Sequence, residues 1–288
     1  MQLGVVFPTF EIGADPGPVR DYALAAEAAG YQHLLAYDHV LGADPDRPGG
    51  FTGPYTYKTL FHEPLVLFGY LAAITERLEL LTGVLILPQR QTALVAKQAA
   101  EVDVLSRGRL RLGVGVGWNA VEYEALGEDF HTRGRRVEEQ IALLRQLWAE
   151  PIVNFEGLYH SVSRAGLKPL PPGGSIPIWI GGISDPVMDR VGRIADGWLP
   201  LYREPAQLVE GLAKIHAIAE AANRDPASIS VNFQLRLSGD IAADIERAHE
   251  WEQAGVTDLS VNTMGRHYYE DIGQHIQAIE QFQTAYQP

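Results

Sequence analysis

Apolar positions along this chain fall into two alternating rhythms, short strand-length runs and longer stretches at helical spacing. Strand-like runs lie at Leu3 to Phe7, His33 to Tyr37, Leu78 to Thr82, Leu110 to Val114, Ile176 to Ile180, Gly197 to Leu201, Ile229 to Leu235 and Asp258 to Val261. Between them apolar side chains return every three or four positions. Val95, Ala99, Val102 and Leu105 do so before the fourth run, Val137, Ile141, Leu144 and Trp148 after it, and Leu208, Leu212, Ile215 and Ala219 further on. Eight strands, each followed by an amphipathic helix, predict parallel βα units closed into an α/β fold, a (β/α)8 TIM-like barrel formed by a single domain over residues 1–288. Such a barrel needs about 250 residues. The surplus falls into insertions after strands two and four, Leu41 to Phe61 and Pro151 to Gly174, both rich in Pro, Gly and aromatic residues. They are expected to form active-site walls or subunit contacts.

Composition narrows the class. With 46% hydrophobic and 20% charged residues, the 288-residue chain can bury a large core and is neither disordered nor fibrous. A net charge of −13 argues against nucleic acid, and the dense basic cluster Arg133-Gly-Arg-Arg136 is answered at once by Glu138 and Glu139. No apolar run is long enough to span a bilayer, and the start Met1-Gln-Leu-Gly-Val-Val-Phe7 reads as a strand without a basic leader. A cytoplasmic protein with no membrane partner is expected. The absence of cysteine excludes disulfides and thiolate metal sites, and the nine histidines form no His-x-His or His-Glu-x-x-His pair, so no metal is expected. Walker A, Gly-x-Gly-x-x-Gly and Gly-x-Ser-x-Gly sequences are also missing.

Candidate chemistry gathers at strand ends, because the loops after the strands of a barrel meet at one face. In Leu110-Arg-Leu-Gly-Val-Gly-Val-Gly-Trp-Asn119, Gly113, Gly115 and Gly117 clear one side of the run for a flat ligand or for tight packing, while Trp118 and Asn119 offer a surface and a polar handle. Asp38 and His39 place an acid and an imidazole at the end of strand two, as a general acid/base pair or as loop anchors. Glu63, just before Pro64, is as readily a helix-start residue. Gly181-Gly182 leads into Ser184-Asp-Pro186, where free amides at a helix N-terminus suit a phosphate. Thr82 and Gly83 mark the exit of strand three, where backbone can meet a ring.

The chain carries, in this order, Tyr37-Asp-His-Val40, Glu63-Pro-Leu65, Leu71-Ala-Ala-Ile-Thr-Glu-Arg77, Thr82-Gly-Val-Leu85, Leu87-Pro-Gln-Arg90, Ala96-Lys-Gln98, Asp103-Val-Leu-Ser-Arg-Gly-Arg109, Leu112-Gly-Val-Gly-Val-Gly-Trp-Asn119, Glu122-Tyr-Glu-Ala-Leu-Gly127, Trp179-Ile-Gly-Gly182 and Ala195-Asp-Gly-Trp198. Taken together these segments resemble the luciferase-like flavin and deazaflavin oxidoreductases, specifically their coenzyme F420-dependent branch. The resemblance implies a TIM-like barrel, commonly dimeric, with a flavin-type ring at the C-terminal mouth and its phosphate-bearing tail toward Gly181 and Gly182. It implies catalytic roles for His39, as proton donor or oxyanion partner, and Asp38. It further implies cofactor contacts from Asp38, Thr82, Gly83, Gly117, Trp118, Asn119, Gly181, Gly182 and Ser184. At Thr82 and Gly83 the family often has a peptide, sometimes cis, that bulges under the ring. The implied activity is hydride transfer between coenzyme F420 and a small organic substrate, with Phe51, Tyr55, Tyr57 and Phe61 as an aromatic wall. The alternatives are an FMN-dependent monooxygenase, a non-catalytic flavin- or deazaflavin-binding protein and a cofactor-free barrel. One departure is visible: the phosphate loop would follow strand five, whereas TIM barrels usually place it after strands seven and eight.

Overall fold

A computed structural model describes residues 1–265 and 271–286. Among the described residues, eleven strands and nine α-helices alternate along the chain: β1 (Gln2–Val6), α1 (Pro16–Ala28), β2 (His33–Ala36), α2 (Pro64–Ile74), β3 (Glu79–Thr82), β4 (Leu85–Ile86), α3 (Thr92–Ser106), β5 (Leu110–Gly115), α4 (Ala120–Ala125), α5 (Arg133–Ala149), β6 (Val153–Glu156), β7 (Ser161–Ala165), β8 (Ile178–Gly181), α6 (Asp185–Ile194), β9 (Gly197–Leu199), α7 (Pro205–Ala221), β10 (Ser230–Arg236), α8 (Ile241–Gln253), β11 (Asp258–Asn262) and α9 (Ile272–Tyr286). Helix starts follow local chemistry. Asp15, Glu63 and Asp240 each accept a backbone N–H of the first turn, and Pro occupies the first turn of α1 and α2.

The strands hydrogen-bond in the order β3-β2-β1-β11-β10-β9-β8-β5, and a β3–β5 pairing closes the ring. All of these pairings are parallel. The result is the closed eight-stranded barrel that the alternating pattern predicts. The third strand ends at Thr82, where its apolar run predicts its end, and a short additional piece, β4, follows and pairs with the upper end of β5. The Gly83–Val84 peptide between the two pieces is cis.

Alternation along each strand sorts its side chains. Leu110, Leu112 and Val114 of β5 join Val231, Phe233 and Leu235 of β10 in the large core between barrel and helices. Their neighbours turn inward. Val6, Leu35, Leu81, Trp179, Leu199 and Met264 form a separate apolar layer inside the barrel, while His33, Asn232 and Ser260 fill it lower down as a buried hydrogen-bonded cluster.

The two insertions take different courses. The segment after β2 stays at the mouth, where Tyr55 and Phe61 border the main cavity. The segment after α5 folds into an antiparallel β6–β7 hairpin. Its tip is fastened to the outer helices through His160, whose ring nitrogens lie 2.7 Å from Glu139 Oε1 and 2.7 Å from Thr92 Oγ1. It contributes no lining to the mouth cavity. No helix of the described residues is long and apolar enough to cross a membrane.

Candidate active site

The C-terminal ends of the strands surround a cavity of about 520 Å³, bordered by Tyr37 to His39, the Gly83–Val84 turn, Gly115 to Trp118, Gly181 to Ser184 and Gln234. Volumes of this order suit a small-molecule or cofactor site.

Its geometry begins with glycines on the inward register of β5. A methyl group at Gly113 would lie 1.9 Å from Thr82 O, so this glycine serves tight packing. A methyl at Gly115 would lie 2.5 Å from Val84 Cγ2, and one at Gly181 on β8 would lie 2.7 Å from Val84 Cγ1. The Val84 side chain thus nests on two bare stretches of backbone, and Ile86 takes the corresponding place over Gly117, whose φ is +65°. The glycines admit a bulge of the protein's own chain, and that bulge borders the cavity.

Asp38 and His39 leave β2 toward different partners. The Asp38 side chain is fully buried, accepting the Ile86 N–H at 3.0 Å and the Arg90 guanidinium at 2.7 Å. Burial pushes its carboxyl up, and Arg90 and the Ile86 amide oppose that rise. Arg90 also donates to Glu63 at 3.0 Å, while the other Glu63 oxygen accepts Val66 N–H at the start of α2. Glu63 is therefore a helix cap and an ion-pair partner.

His39 is clamped edge-on by aromatic rings, with centroids at 4.7 Å from Phe61, 5.0 Å from Tyr55 and 5.7 Å from Trp118. Its Nδ1 lies 3.1 Å from Oε1 of Glu122, a carboxylate only 1% exposed that also accepts the Val40 N–H at 2.8 Å. With one ring nitrogen facing a carboxylate, the other, Nε2, has no protein partner among the described residues. A carboxylate at Nδ1 favours the tautomer that carries its proton there and steadies the ring when both nitrogens are protonated. Glu122 was absent from the sequence-derived site residues. Placed three residues after the α4 cap Asn119, it has the spacing of an ordinary helix-start glutamate.

The remaining expected residues divide by position. Gly83, Gly117, Trp118, Gly181, Gly182 and Ser184 border the cavity together with Asp38 and His39. Thr82 and Asn119 do not. Thr82 is buried and donates to Gly113 O at 2.6 Å, and Asn119 is buried with its side chain accepting the Val121 N–H at 3.2 Å. Tyr55 and Phe61 form the expected aromatic wall, whereas Phe51 packs beside Trp118 and Tyr57 is exposed.

The β8–α6 turn supplies the anion chemistry. Gly182 has φ +120°, its N–H bonds to Leu199 O, and its carbonyl accepts the Trp198 indole N–H. Beyond it the N–H groups of Ile183, Ser184 and Asp185 have no protein acceptor among the described residues, and Ser184, the N-cap of α6, leaves its hydroxyl unused in capping. This turn follows the fifth strand of the ring, as the sequence count has it. An apolar bulge, a glycine-backed wall and unpaired amides at a helix N-terminus together fit a flat ring with a phosphate-bearing tail.

The family model described as luciferase-like monooxygenase matches residues 1–286. The chain belongs to that family. This luciferase-like oxidoreductase is 34% identical over 246 residues to an uncharacterised protein of Mycobacterium tuberculosis, covering 83% of this chain and 82% of the other. It is 32% identical over 260 residues to an F420-dependent glucose-6-phosphate dehydrogenase of Kineococcus radiotolerans, covering 84% and 70%. It is also 33% identical over 219 residues to an FMNH2-dependent dimethylsulfone monooxygenase of Pseudomonas fluorescens, covering 74% of this chain and 55% of that longer one. Among solved structures, an F420-dependent secondary alcohol dehydrogenase shares the fold over 100% of this luciferase-like chain and 99% of its own, with a TM-score of 0.81 at 17% identity. The relatives whose names state an activity are dependent on F420 or on FMNH2.

Proposed function

We propose that this chain is a coenzyme F420-dependent oxidoreductase that transfers a hydride between the deazaflavin and a small organic substrate at the mouth of the barrel. The observation that carries the reading is the Glu122–His39 pair, which presents an imidazole nitrogen to a cavity bordered by the Val84 bulge that the glycines admit. When bound, a deazaflavin supplies two-electron hydride chemistry, having carbon in place of the reactive ring nitrogen of flavins. The protein supplies orientation, a proton and a dry pocket.

In this reading His39 Nε2 gives or takes the proton that accompanies hydride transfer at a carbonyl or alcohol oxygen. Glu122 is its positioning residue. Asp38, engaged by Arg90 and Ile86, fixes the turn that carries Val84 under the ring. Gly83, Gly117 and Trp118 flank the cofactor, and Gly181, Gly182 and Ser184 receive its phosphate. Thr82 and Asn119 act from behind: Thr82 locks β3 to β5, and Asn119 caps the helix that bears Glu122.

The similarity to an FMNH2-dependent monooxygenase supports a second reading with FMN in the same place. Parallel fluorescence titrations of the full chain with coenzyme F420 and with FMN separate the two. Preferential tight binding of F420 is expected. Preference for FMN would turn the assignment to oxygen-dependent chemistry, and binding of neither would overturn both readings.

A further inference from the structure

Strand β10 turns alternate side chains into the barrel. Asn232 meets His33 and Ser260 deep inside, Gln234 lies in the cavity wall, and Arg236 stands at the rim in the same register, while Val231, Phe233 and Leu235 pack outward.

The polarity of this wall is set by one backbone amide. Met264 N–H donates to Asn262 Oδ1 at 2.9 Å, so the amide nitrogen of Asn262 faces the other way and donates to the Tyr37 hydroxyl at 3.3 Å. Tyr37 then passes its own hydrogen to Gln234 Oε1. Each step leaves one choice, and the relay ends with Gln234 Nε2 as a donor. That donor has no protein acceptor among the described residues.

Arg236 adds charge to the same wall. Its guanidinium makes no ion pair among the described residues, and its positive charge acts on the hydroxyls of both Tyr37 and Tyr55, which border the cavity. Gly265 leaves room for it, since a methyl there would lie 3.2 Å from Nη1. Donors without acceptors, on a chain of net charge −13, call for a ligand that brings its own negative oxygens.

We propose that the Gln234–Arg236 wall binds an oxyanion on the substrate, a carboxylate or a phosphate monoester. The wall stands three strands around the ring from β2, which delivers His39, so one substrate can be anchored at β10 and reduced or oxidised near β2. The inference rests on the reading of the mouth as an oxidoreductase site and adds to it the charge of the substrate.

The test uses the cofactor-free full chain and three probes of one shape, benzoate, phenyl phosphate and benzyl alcohol, titrated by saturation-transfer NMR. At least one anion is expected to bind about tenfold more tightly than the alcohol, with the better anion distinguishing carboxylate from phosphate. Arg236→Gln is expected to erase that preference, and Arg236→Lys to keep part of it. Equal binding of all three probes, or a preference that survives Arg236→Gln, would overturn the proposal. Coenzyme F420 and FMN are titrated into the same variants, where affinities within about twofold of wild type are expected, well under the tenfold that 1.4 kcal/mol represents. A large loss of cofactor affinity in Arg236→Gln would assign the wall to the cofactor and also overturn the proposal. Failure of both cofactors to bind wild type, with the anion preference intact, would remove the oxidoreductase reading while leaving the oxyanion site in place.

Discussion

Glu122 reaches His39 across 83 positions of sequence and holds its Nδ1 at 3.1 Å while keeping the Val40 amide at 2.8 Å. One buried carboxylate thus fixes both the ring and the backbone that carries it. Glu122→Gln retains an acceptor for that backbone but loses the charge that steadies a protonated imidazole. Turnover should fall by about tenfold to a hundredfold while cofactor affinity and KM stay near wild type. Glu122→Ala removes the acceptor too, and should also cost about 1–3 kcal/mol of stability by stranding the Val40 amide. An unchanged kcat in Glu122→Gln would show that His39 needs no partner.

Val84 sits against the bare backbone of Gly115 and Gly181, at the two close approaches that a Cβ would violate. Gly181→Ala should cost about 1–3 kcal/mol through overpacking and weaken cofactor binding, because the new methyl and Val84 cannot occupy the same space. Val84→Ala in the same chain should restore much of both. A double-mutant cycle on denaturation midpoints and cofactor affinity measures the coupling. Additive effects would mean that the close contact between the two positions carries no energy.

The ring of strands was legible because each is short, apolar and spaced by a helix whose buried face returns every three or four residues. Where the reading was incomplete, the cause is long-range packing. Thr82 and Gly83 mark the end of the third strand in the sequence, but the return of Leu85 and Ile86 as β4 has no signature of its own, because pairing with Val114 and Gly115 of β5 creates it. Hairpin β6–β7 lies largely exposed, so Val153 to Ala165 lacks the buried run that marks a barrel strand. Asn119 and Thr82 carry polar groups at the right height of the barrel, but each is taken by a neighbouring backbone group, Val121 N–H and Gly113 O. Glu122 and the Tyr37–Gln234–Asn262 relay exist only once distant strands meet, and no local spacing encodes them.

Arg90 and Asp38 form a buried pair, with side chains 13% and 0% exposed, at the foot of the turn that carries Val84. Removing one partner of such a pair leaves the other charge uncompensated. Arg90→Met should therefore destabilise the chain by about 3–5 kcal/mol. Asp38→Asn at neutral pH should be milder, because the amide oxygen can still accept the Ile86 N–H. Thermal unfolding of the two single variants checks the order. If Asp38→Asn proves the more harmful to stability, the carboxylate is anchored by more than Arg90.

His33 gives the barrel a built-in sensitivity to acid. Burial inside the ring holds its pKa down to about 4, below the value of about 6.5 expected in an unfolded chain. Its Nε2 lies 3.0 Å from Asn232 Nδ2 and accepts from that amide, so a proton added there would set donor against donor. Because the folded-state value is depressed, the unfolded chain binds the proton first as pH falls. The stability contributed by neutral His33 is complete above pH ~6.5, declines as pH falls from there to about 4, and amounts to roughly 3 kcal/mol across the window. His33→Gln keeps a polar end for Ser260 and Asn232 without a titrating group. Urea midpoints at pH 7.5 and pH 4.5 should therefore drop further for wild type than for the variant. Parallel losses would place the acid sensitivity in groups other than His33.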